Sequence, residues 1–291
     1  MRAHLPTYGQ FLGAAEKGIA EKSHIRAQTF SVTPIELLGE DDKDLNIHGT
    51  GFFYKHNDES YLVTSWHNVS GLNPFTFEHM NKGGVVPKSL KFYSPLRVDY
   101  PDGRLQIFRV PVQISLWEEW HYPLWLEHPQ FDELRIDLAA FPVPVEDSKL
   151  IPAWHVADGD DFDLLSIVGA DIFVLGYPYK NYVGTMPAVW KRGSLASEPL
   201  ISVDGRPMFL VDAASRPGMS GSPVFRHQFG PAVDKSMAIK LDNVVTTRFV
   251  GVYSGHLQSG VDELSLGFAW SSHLVEELVS MPKAATRRYV S

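Results

Sequence analysis

From about residue 30 onward, short runs of β-branched and aromatic residues alternate with Gly, Pro, Asn and Asp, and this pattern limits the possible folds. Each run is long enough for only one short strand. Examples are the segments GFFY at 51–54, YLVT at 61–64, DIFVL at 171–175, MFLV at 208–211 and RFVGVY at 248–253. Many short strands separated by turn residues indicate a β-sandwich or a β-barrel. The 20 prolines disfavour long helices in the middle of the chain.

Two segments have helical periodicity instead. Within residues 9–22, Phe11, Leu12, Ala15 and Ile19 recur at near-helical spacing, which predicts a short amphipathic helix. Within residues 271–279, serines precede acidic residues and apolar residues at helical spacing, which predicts a capped closing helix.

The composition argues against several classes of function. The chain has 291 residues, with 34 acidic and 26 basic side chains and a formal net charge of −8, whereas nucleic-acid binding usually requires a basic face. It has no cysteine, which fits a reducing compartment. The N-terminus lacks the apolar region of a signal peptide, and no stretch approaches the roughly 18 apolar residues of a membrane helix. We therefore expect a cytoplasmic protein without nucleic-acid or membrane partners.

The segment RPGMSGSPVF at residues 216–225 is the strongest local signal for chemistry. It places Ser220 between two glycines in a tight turn that leads into a strand. Glycine allows positive φ and close approach of the backbone, so such a turn can direct the N–H groups of Gly218 and Ser220 at one point, as an oxyanion hole requires. A structural turn between two strands is the alternative interpretation of this segment.

Two further segments supply the partners that a serine nucleophile needs. The segment YLVTSWHNV at 61–69 resembles a buried strand that ends at His67, and RIDLAAF at 135–141 places Asp137 at the start of an apolar strand. A serine nucleophile needs a base, and the base needs an orienting carboxylate. The chain provides these residue types in the order His, Asp, Ser.

In this order the segments resemble the trypsin/chymotrypsin superfamily of serine proteases, and most of all its bacterial high-temperature-requirement (HtrA/Deg) branch. For this chain itself, no PDZ domain is expected. The resemblance covers roughly residues 30–280. It is carried by the segments around His67 and Asp137 and by DAA at 212–214 followed by GMSG at 218–221. Shorter matches follow in the same order, namely GTGF at 49–52, VLGYP at 174–178, GSLA at 193–196, GVYSG at 251–255 and GFA at 267–269.

The sequence departs from the family pattern near the nucleophile. Ser222 stands where the family usually has a second glycine, and Met219 stands where it has Asn or Asp. In secreted animal relatives, a new N-terminus released by cleavage pairs with an aspartate at the position of Met219. We therefore expect no zymogen switch of that kind, and an oxyanion loop set by packing, by substrate or by a partner protein.

The resemblance implies an all-β fold, a chymotrypsin-like double six-stranded β-barrel with a short N-terminal helix and a C-terminal helix. It implies an N-terminal helical extension at 1–25 and a first barrel at 26–155 that carries His67 and Asp137. A second barrel at 156–291 would carry Ser220 and the closing helix.

The resemblance also implies the role of each site residue. Ser220 attacks the peptide carbonyl, His67 transfers the proton and Asp137 orients the imidazole, while the N–H groups of Gly218 and Ser220 form the oxyanion hole. Ser254 either hydrogen-bonds the triad carboxylate or is an ordinary strand serine. The implied substrate-binding residues are Ala214 at the pocket floor, Tyr253, Ser254, Gly255 and His256. Neither a cofactor nor a metal is expected. The expected partners are a protein or peptide substrate and, in addition, a regulatory protein.

Three other interpretations compete with a serine endopeptidase. An α/β-hydrolase needs Gly-x-Ser-x-Gly between a strand and a helix, but here Ser222 takes the last position and a strand-like segment follows. A metal enzyme is disfavoured because no His pair has i, i+4 spacing with an adjacent Glu. A trypsin-like domain that has lost activity and binds proteins is the third interpretation. The aromatic insert at 117–125 is either packing over the first barrel or a rim for a partner.

Overall fold

The structure is a computed structural model that describes residues 27–81, 83–102, 105–119, 122–143, 154–158, 162–178, 187–213, 216–241, 245–256 and 266–286. For residues 99, 105, 106 and 256 only the backbone is described. Strands dominate these residues, and the only α-helices among them are three short ones. This confirms the all-β fold class. The helix expected at 9–22 lies outside the described residues.

The first half of the chain forms one antiparallel sheet. Its strands are β1 (Val32–Leu38), β2 (Asp44–His56), β3 (Glu59–Thr64), β4 (Ser89–Asp99), β5 (Leu105–Ser115), β8 (Leu126–Glu127) and β9 (Ala139–Pro142), and β18 (Lys283–Ala284) joins them from the end of the chain. A small hairpin of β6 (Trp117–Glu118) and β7 (Tyr122–Pro123) stands apart. The short helices are α1 (Trp66–Ser70) and α2 (Phe131–Leu134). Two 3₁₀ turns span Ala27–Phe30 and Glu40–Asp42.

The sheet differs in detail from the six-stranded barrel expected from the sequence. Its strand order is β18-β8-β9-β3-β2-β1-β4-β5, so a core of six long or buried strands is extended by two strands of two residues. Of these two strands, β8 pairs with β9. The other, β18, pairs with β8, with Lys283 opposite Glu127 and Ala284 opposite Leu126. Within the described residues, no ladder closes β5 onto the opposite edge.

The second half of the chain forms a closed six-stranded barrel, as expected. The barrel strands are β10 (Asp171–Gly176), β11 (Val189–Leu195), β12 (Met208–Asp212), β13 (Ser222–Phe229), β16 (Val245–His256) and β17 (Leu266–Ser271), and their order around the barrel is β10-β11-β12-β17-β16-β13. A short hairpin of β14 (Ala232–Val233) and β15 (Ile239–Lys240) lies outside it.

Alternation along the strands explains how the two halves pack together. Neighbouring strand residues point to opposite faces of a sheet. In β2, Phe53 therefore enters the core of the first sheet, whereas Phe52 enters an apolar cluster shared with Phe225 and Trp270 of the barrel. Each such buried ring contributes roughly 1.5–3 kcal/mol. The shared cluster therefore joins the two halves of the chain.

The closing helix predicted from residues 271–279 is present as α3 (His273–Ser280), but the predicted serine cap is not, because the side chain of Ser272 makes no capping hydrogen bond. Its apolar side chains at helical spacing, Leu274, Val275, Leu278 and Val279, are buried in the shared cluster. The polar face of α3 contacts the first sheet, because Glu276 accepts a hydrogen bond from the Tyr54 hydroxyl at 2.6 Å. The end of the second half of the chain is thereby attached to the first half.

Candidate active site

His67 lies at the end of the apolar strand β3, where the chain turns into α1. Ser65 precedes the helix in an extended conformation, and Gly71 ends it with a φ of 74°. A left-handed glycine is the usual way to end a helix. The short helix places His67 at the surface of the cleft, where its side chain is 12% exposed.

Asp137 is buried directly beneath this histidine. Its side chain is 1% exposed, and its neighbours Ile136 and Leu138 are fully buried. Its Oδ1 accepts a hydrogen bond from the backbone N–H of His67 at 2.8 Å, and its Oδ2 lies 2.7 Å from Nδ1 of the same residue. Because a carboxylate only accepts hydrogen bonds, this contact places the ring proton on Nδ1 and leaves the lone pair on Nε2.

Ser254 links the Asp137 carboxylate to Ser220 through two hydrogen bonds. Its hydroxyl donates a hydrogen bond to Oδ2 of Asp137, and its side chain is buried. The residue lies where the pairing of β16 with β17 shifts register between Tyr253 and Gly255. Such a bulge redirects a side chain out of the regular alternation. Of the two interpretations of Ser254, the structure therefore has the hydrogen bond to the carboxylate.

Ser220 lies at the start of β13, in the turn that the sequence indicated. Its Oγ donates a hydrogen bond to the carbonyl oxygen of Ser254 at 3.0 Å. Among the described residues, no hydrogen bond joins Oγ of Ser220 to the ring of His67. The structure thus brings His67 and Asp137 into direct contact and connects Ser220 to them through Ser254.

The turn that carries Ser220 consists of two consecutive tight bends. The first is closed by the N–H of Met219, which donates to the carbonyl of Arg216 at 3.2 Å. Gly218 has a φ of 96°, and positive φ after a proline is typical of a type II turn. The second is closed by the N–H of Ser222, which donates to the carbonyl of Met219 at 3.0 Å.

The two expected oxyanion-hole donors are available in this turn. Within the described part of the chain, the N–H groups of Gly218 and Ser220 donate to no acceptor. The backbone N–H groups between and after them, at Met219 and Gly221, are both engaged. The N–H groups of the buried Gly218 and the half-buried Ser220 thus have no partner among the described residues, and both belong to the turn that carries the Ser220 hydroxyl.

Thr50 and Asn68 contact the nucleophile turn, and the sequence did not identify either of them. The Thr50 hydroxyl donates to the carbonyl of Gly218 at 2.7 Å, and its backbone N–H donates to the carbonyl of Ser220 at 2.9 Å. Asn68 Nδ2 donates to the same Ser220 carbonyl at 3.2 Å. The available signals were the position of Asn68 directly after His67 and the position of Thr50 within the GTGF match at 49–52.

The structure describes only some of the residues that were expected to bind substrate. The ring of Tyr253 is 1% exposed, packs in an apolar cluster of the barrel and lies against Gly267, where a Cβ would be 2.4 Å from it. Gly255 of β16 pairs with Phe268 of β17, next to the last residue pair of this ladder. Only the backbone of His256 is described, and Ala214 lies outside the described residues.

Two cationic side chains, Lys191 and Arg216, lie near each other where the turn that carries Ser220 begins. Burial lowers the pKa of Lys191 on β11, and the nearby guanidinium of Arg216 lowers it further. Arg216 itself is exposed at the first residue of the turn. The turn therefore begins next to two cationic side chains.

The aromatic insert packs against the first sheet where it is described. Trp125 is 2% exposed and meets Trp117 edge to face at 5.1 Å between ring centroids. Trp117 donates its indole N–H to the carbonyl of Pro87 at 2.7 Å. Tyr122 is 66% exposed. These contacts favour packing over a partner rim for Trp117 and Trp125.

No cluster of His, Asp and Glu in the described part of the chain could hold a metal ion. Among the described helices, none has the length and apolar character needed to cross a membrane.

Comparison with known proteins identifies the family. The model of the trypsin-like peptidase domain matches residues 49–231. The chain belongs to the trypsin-like peptidase domain family. The matched region of this peptidase domain includes His67, Asp137 and Ser220, and it ends before Ser254. A search of curated proteins finds no match to the sequence.

Solved protease structures resemble this trypsin-like peptidase domain at low identity. The active form of the Rv3671c protease from M. tuberculosis has a TM-score of 0.46 and 19% identity, over 91% of this chain and 85% of that chain. The HtrA-type protease AlgW with a tripeptide has a TM-score of 0.44 and 15% identity, over 94% and 63%. Deg5 has a TM-score of 0.44 and 16% identity, over 86% and 87%.

Proposed function

We propose that this peptidase domain is a serine endopeptidase in which Ser220 is the nucleophile, His67 the general base and Asp137 the orienting carboxylate. One observation carries the proposal. The buried carboxylate of Asp137 accepts hydrogen bonds from His67 and from Ser254, whose carbonyl in turn accepts the Ser220 hydroxyl hydrogen. Acyl transfer by a serine enzyme requires a hydroxyl, an imidazole with a free Nε2 and an orienting carboxylate. Here all three groups belong to one hydrogen-bond network, and the carboxylate is buried.

In the proposed reaction, the Ser220 hydroxyl leaves the Ser254 carbonyl and rotates toward Nε2 of His67. As Oγ bonds to the carbonyl carbon of the scissile peptide, Nε2 takes the hydroxyl proton and the carbonyl oxygen becomes an oxyanion. Collapse breaks the C–N bond, and the imidazolium gives its proton to the departing amine. Water then attacks the acyl-enzyme with His67 as base, which releases the acid and restores Ser220.

Asp137 contributes by orientation and charge. Its hydrogen bond holds Nδ1–H toward the protein interior, so that Nε2 faces the nucleophile. Burial at 1% exposure removes competing water, which strengthens the attraction between carboxylate and imidazolium. The backbone N–H groups of Gly218 and Ser220 would stabilise the oxyanion.

Turnover of a peptide or unfolded protein substrate tests this proposal. Ser220→Ala and His67→Ala should each lower kcat by roughly 10³-fold or more. Thermal unfolding of Ser220→Ala should stay close to that of the wild-type protein. His67→Ala removes one donor from the buried Asp137 carboxylate and should lower stability, so kcat is compared at a temperature at which both variants are folded. Full activity in Ser220→Ala would contradict the assignment.

A protein-binding domain without activity is the second candidate, and one observation favours it. The Ser220 hydroxyl is bound to the carbonyl of Ser254 and not to the base. A domain of this kind would bind peptides with the same affinity in the wild-type protein and in Ser220→Ala, and neither would release cleavage products. Measuring affinity and product formation in the same two proteins separates the candidates.

A further inference from the structure

We propose that Thr50 is a positioning residue that holds the nucleophile turn from the opposite half of the chain and so keeps the oxyanion-hole donors in place. This inference rests on the proposed serine peptidase function and adds a residue to its machinery. Thr50 belongs to β2 of the first sheet, whereas the turn that it contacts precedes β13 of the barrel. The hydroxyl contact joins residues 168 positions apart.

Residues 217–221 of the turn form four consecutive peptide planes. The N–H groups of Gly218 and Ser220 belong to the 217–218 and 219–220 planes. The 218–219 plane lies between them, and the 220–221 plane follows. A planar peptide moves as a unit, so the direction of each free N–H depends on how firmly the neighbouring planes are held.

Thr50 holds both of those neighbouring planes. Its hydroxyl fixes the 218–219 plane through the Gly218 carbonyl at 2.7 Å, while the N–H of that plane is bound to Arg216. Its backbone N–H fixes the 220–221 plane through the Ser220 carbonyl at 2.9 Å, while the N–H of that plane is bound to the Tyr253 carbonyl at 2.8 Å. One residue thus restrains the chain on both sides of the Ser220 N–H.

Thr50 is itself firmly placed. It is fully buried, and its carbonyl accepts the hydroxyl hydrogen of Thr64 at 2.8 Å. Its own hydroxyl oxygen accepts the N–H of Tyr177 at 3.0 Å, so the hydroxyl hydrogen is directed at Gly218. The absence of a side chain at Gly221 allows this approach, since a Cβ there would lie 2.2 Å from the Thr50 carbonyl oxygen.

Loss of the hydroxyl would leave the buried Gly218 carbonyl without its donor. An unsatisfied buried carbonyl is costly, and the turn can regain a partner by rotating its peptide planes. Rotation would direct the Gly218 or Ser220 N–H away from the developing oxyanion. The expected defect therefore lies in the reaction at Ser220 and not in substrate binding.

The test compares Thr50→Val, which keeps the shape but removes the hydroxyl, with Thr50→Ser, which keeps the hydroxyl. Thr33→Val is the matched control, because Thr33 is also fully buried on the first sheet, donates to a carbonyl and accepts a backbone N–H. Two properties are measured in each protein. One is the rate constant for reaction of Ser220 with a fluorophosphonate, together with kcat and KM on a peptide. The other is hydrogen exchange across residues 216–225.

In Thr50→Val we expect kcat and the fluorophosphonate rate constant to fall roughly 10- to 100-fold, with KM nearly unchanged. The midpoint of the pH profile should not move, because Thr50 does not contact His67 or Asp137. Exchange across the turn should rise. Thr50→Ser should restore most of the rate, and Thr33→Val should lose stability without these defects.

Three results would overturn the proposal. These are equal reactivity of Thr50→Val and Thr33→Val, an equal loss in Thr50→Ser and Thr50→Val, or unchanged exchange of the turn in Thr50→Val. If wild-type Ser220 does not react at all, the serine peptidase function fails, and the exchange comparison alone decides whether Thr50 holds the turn. Thr50→Ala replaces Thr50→Val in all comparisons if the valine variant does not fold.

Discussion

Oδ2 of the buried Asp137 lies 2.7 Å from Nδ1 of His67, and its Oδ1 accepts the backbone N–H of the same histidine at 2.8 Å. The carboxylate therefore holds the ring and the backbone of His67 together. Rotation of the imidazole would break the bond to Oδ2 and leave a buried carboxylate oxygen with fewer donors. The geometry favours one ring orientation and one tautomer.

Asp137→Asn tests the role of this contact. An asparagine amide can donate to Nδ1, which would place the ring proton on Nε2 and prevent it from accepting the Ser220 proton. We expect kcat to fall by about 10³–10⁴-fold with little change in fold. Asp171→Asn is the control, because Asp171 forms a partly exposed ion pair with Arg192 away from the cleft. An Asp137→Asn enzyme within tenfold of wild-type kcat would contradict the account.

Parts of the site could be predicted from sequence because they depend on local pattern. The apolar strand before His67, the glycines around Ser220 and the helical spacing in α3 are each visible in a few consecutive residues. The contact of Thr50 with Gly218 could not be predicted in this way, because it does not depend on local pattern. It joins two polar residues on separate strands, and no periodicity or spacing encodes which buried hydroxyl meets which carbonyl.

The distinction between local pattern and long-range contact also explains why the first sheet has eight strands and not the expected six-stranded barrel. Of the six principal strands, β2 and β3 contain the runs at 51–54 and 61–64 that the sequence showed, and β9 overlaps the run at 135–141. The pairing of Lys283–Ala284 with Leu126–Glu127 depends on where α3 returns the chain, and two residues are too few to show a period. Similarly, the bulge that directs Ser254 toward Asp137 arises from the register between β16 and β17.

Cleavage specificity should favour small or medium uncharged side chains before the scissile bond. Ala214, the expected pocket floor, carries no charge to bind Lys or Arg. A peptide-library profile measures this preference, and Ala214→Asp should shift it toward Arg and Lys. A wild-type profile dominated by cleavage after Arg or Lys would show the prediction to be wrong.

Activity should not require release of a new N-terminus. Met219 is 1% exposed in an apolar cluster with Val211, Val224 and Tyr253, so packing holds the residue before the nucleophile. An ammonium inserted there would be buried without a partner, at a cost of several kcal/mol. Activity measured together with intact mass should show an active full-length chain. An inert chain that is switched on by a cut near residues 20–35 would refute this prediction.

Stability should decrease as the pH falls, in part because of His128. Burial lowers the pKa of His128, and the nearby His273 lowers it further, while Glu277 partly opposes them. The unfolded chain, with a pKa near 6.5, therefore binds more protons at this residue than the folded chain does. The free energy of unfolding should thus fall as the pH drops below about 6.5, by at most about 1.4 kcal/mol per pH unit from this group.

Denaturant unfolding between pH 7.5 and pH 5 measures this contribution. His128→Gln cannot titrate, so it should show a smaller loss of stability across that range than the wild-type protein. Glu277→Gln removes the group that raises the His128 pKa and should extend the loss to lower pH. Identical pH dependence in all three proteins would remove His128 from the explanation.

Covalent labelling tests whether Ser220 is a nucleophile activated by His67. The full-length protein is incubated with a fluorophosphonate and digested, and the modified residue is located by mass spectrometry. The account predicts one adduct on Ser220, formed with loss of fluoride, and labelling that is nearly abolished in His67→Ala in a chain that remains folded. Absence of labelling at Ser220 in the folded wild-type protein, or equal labelling in His67→Ala, would contradict it.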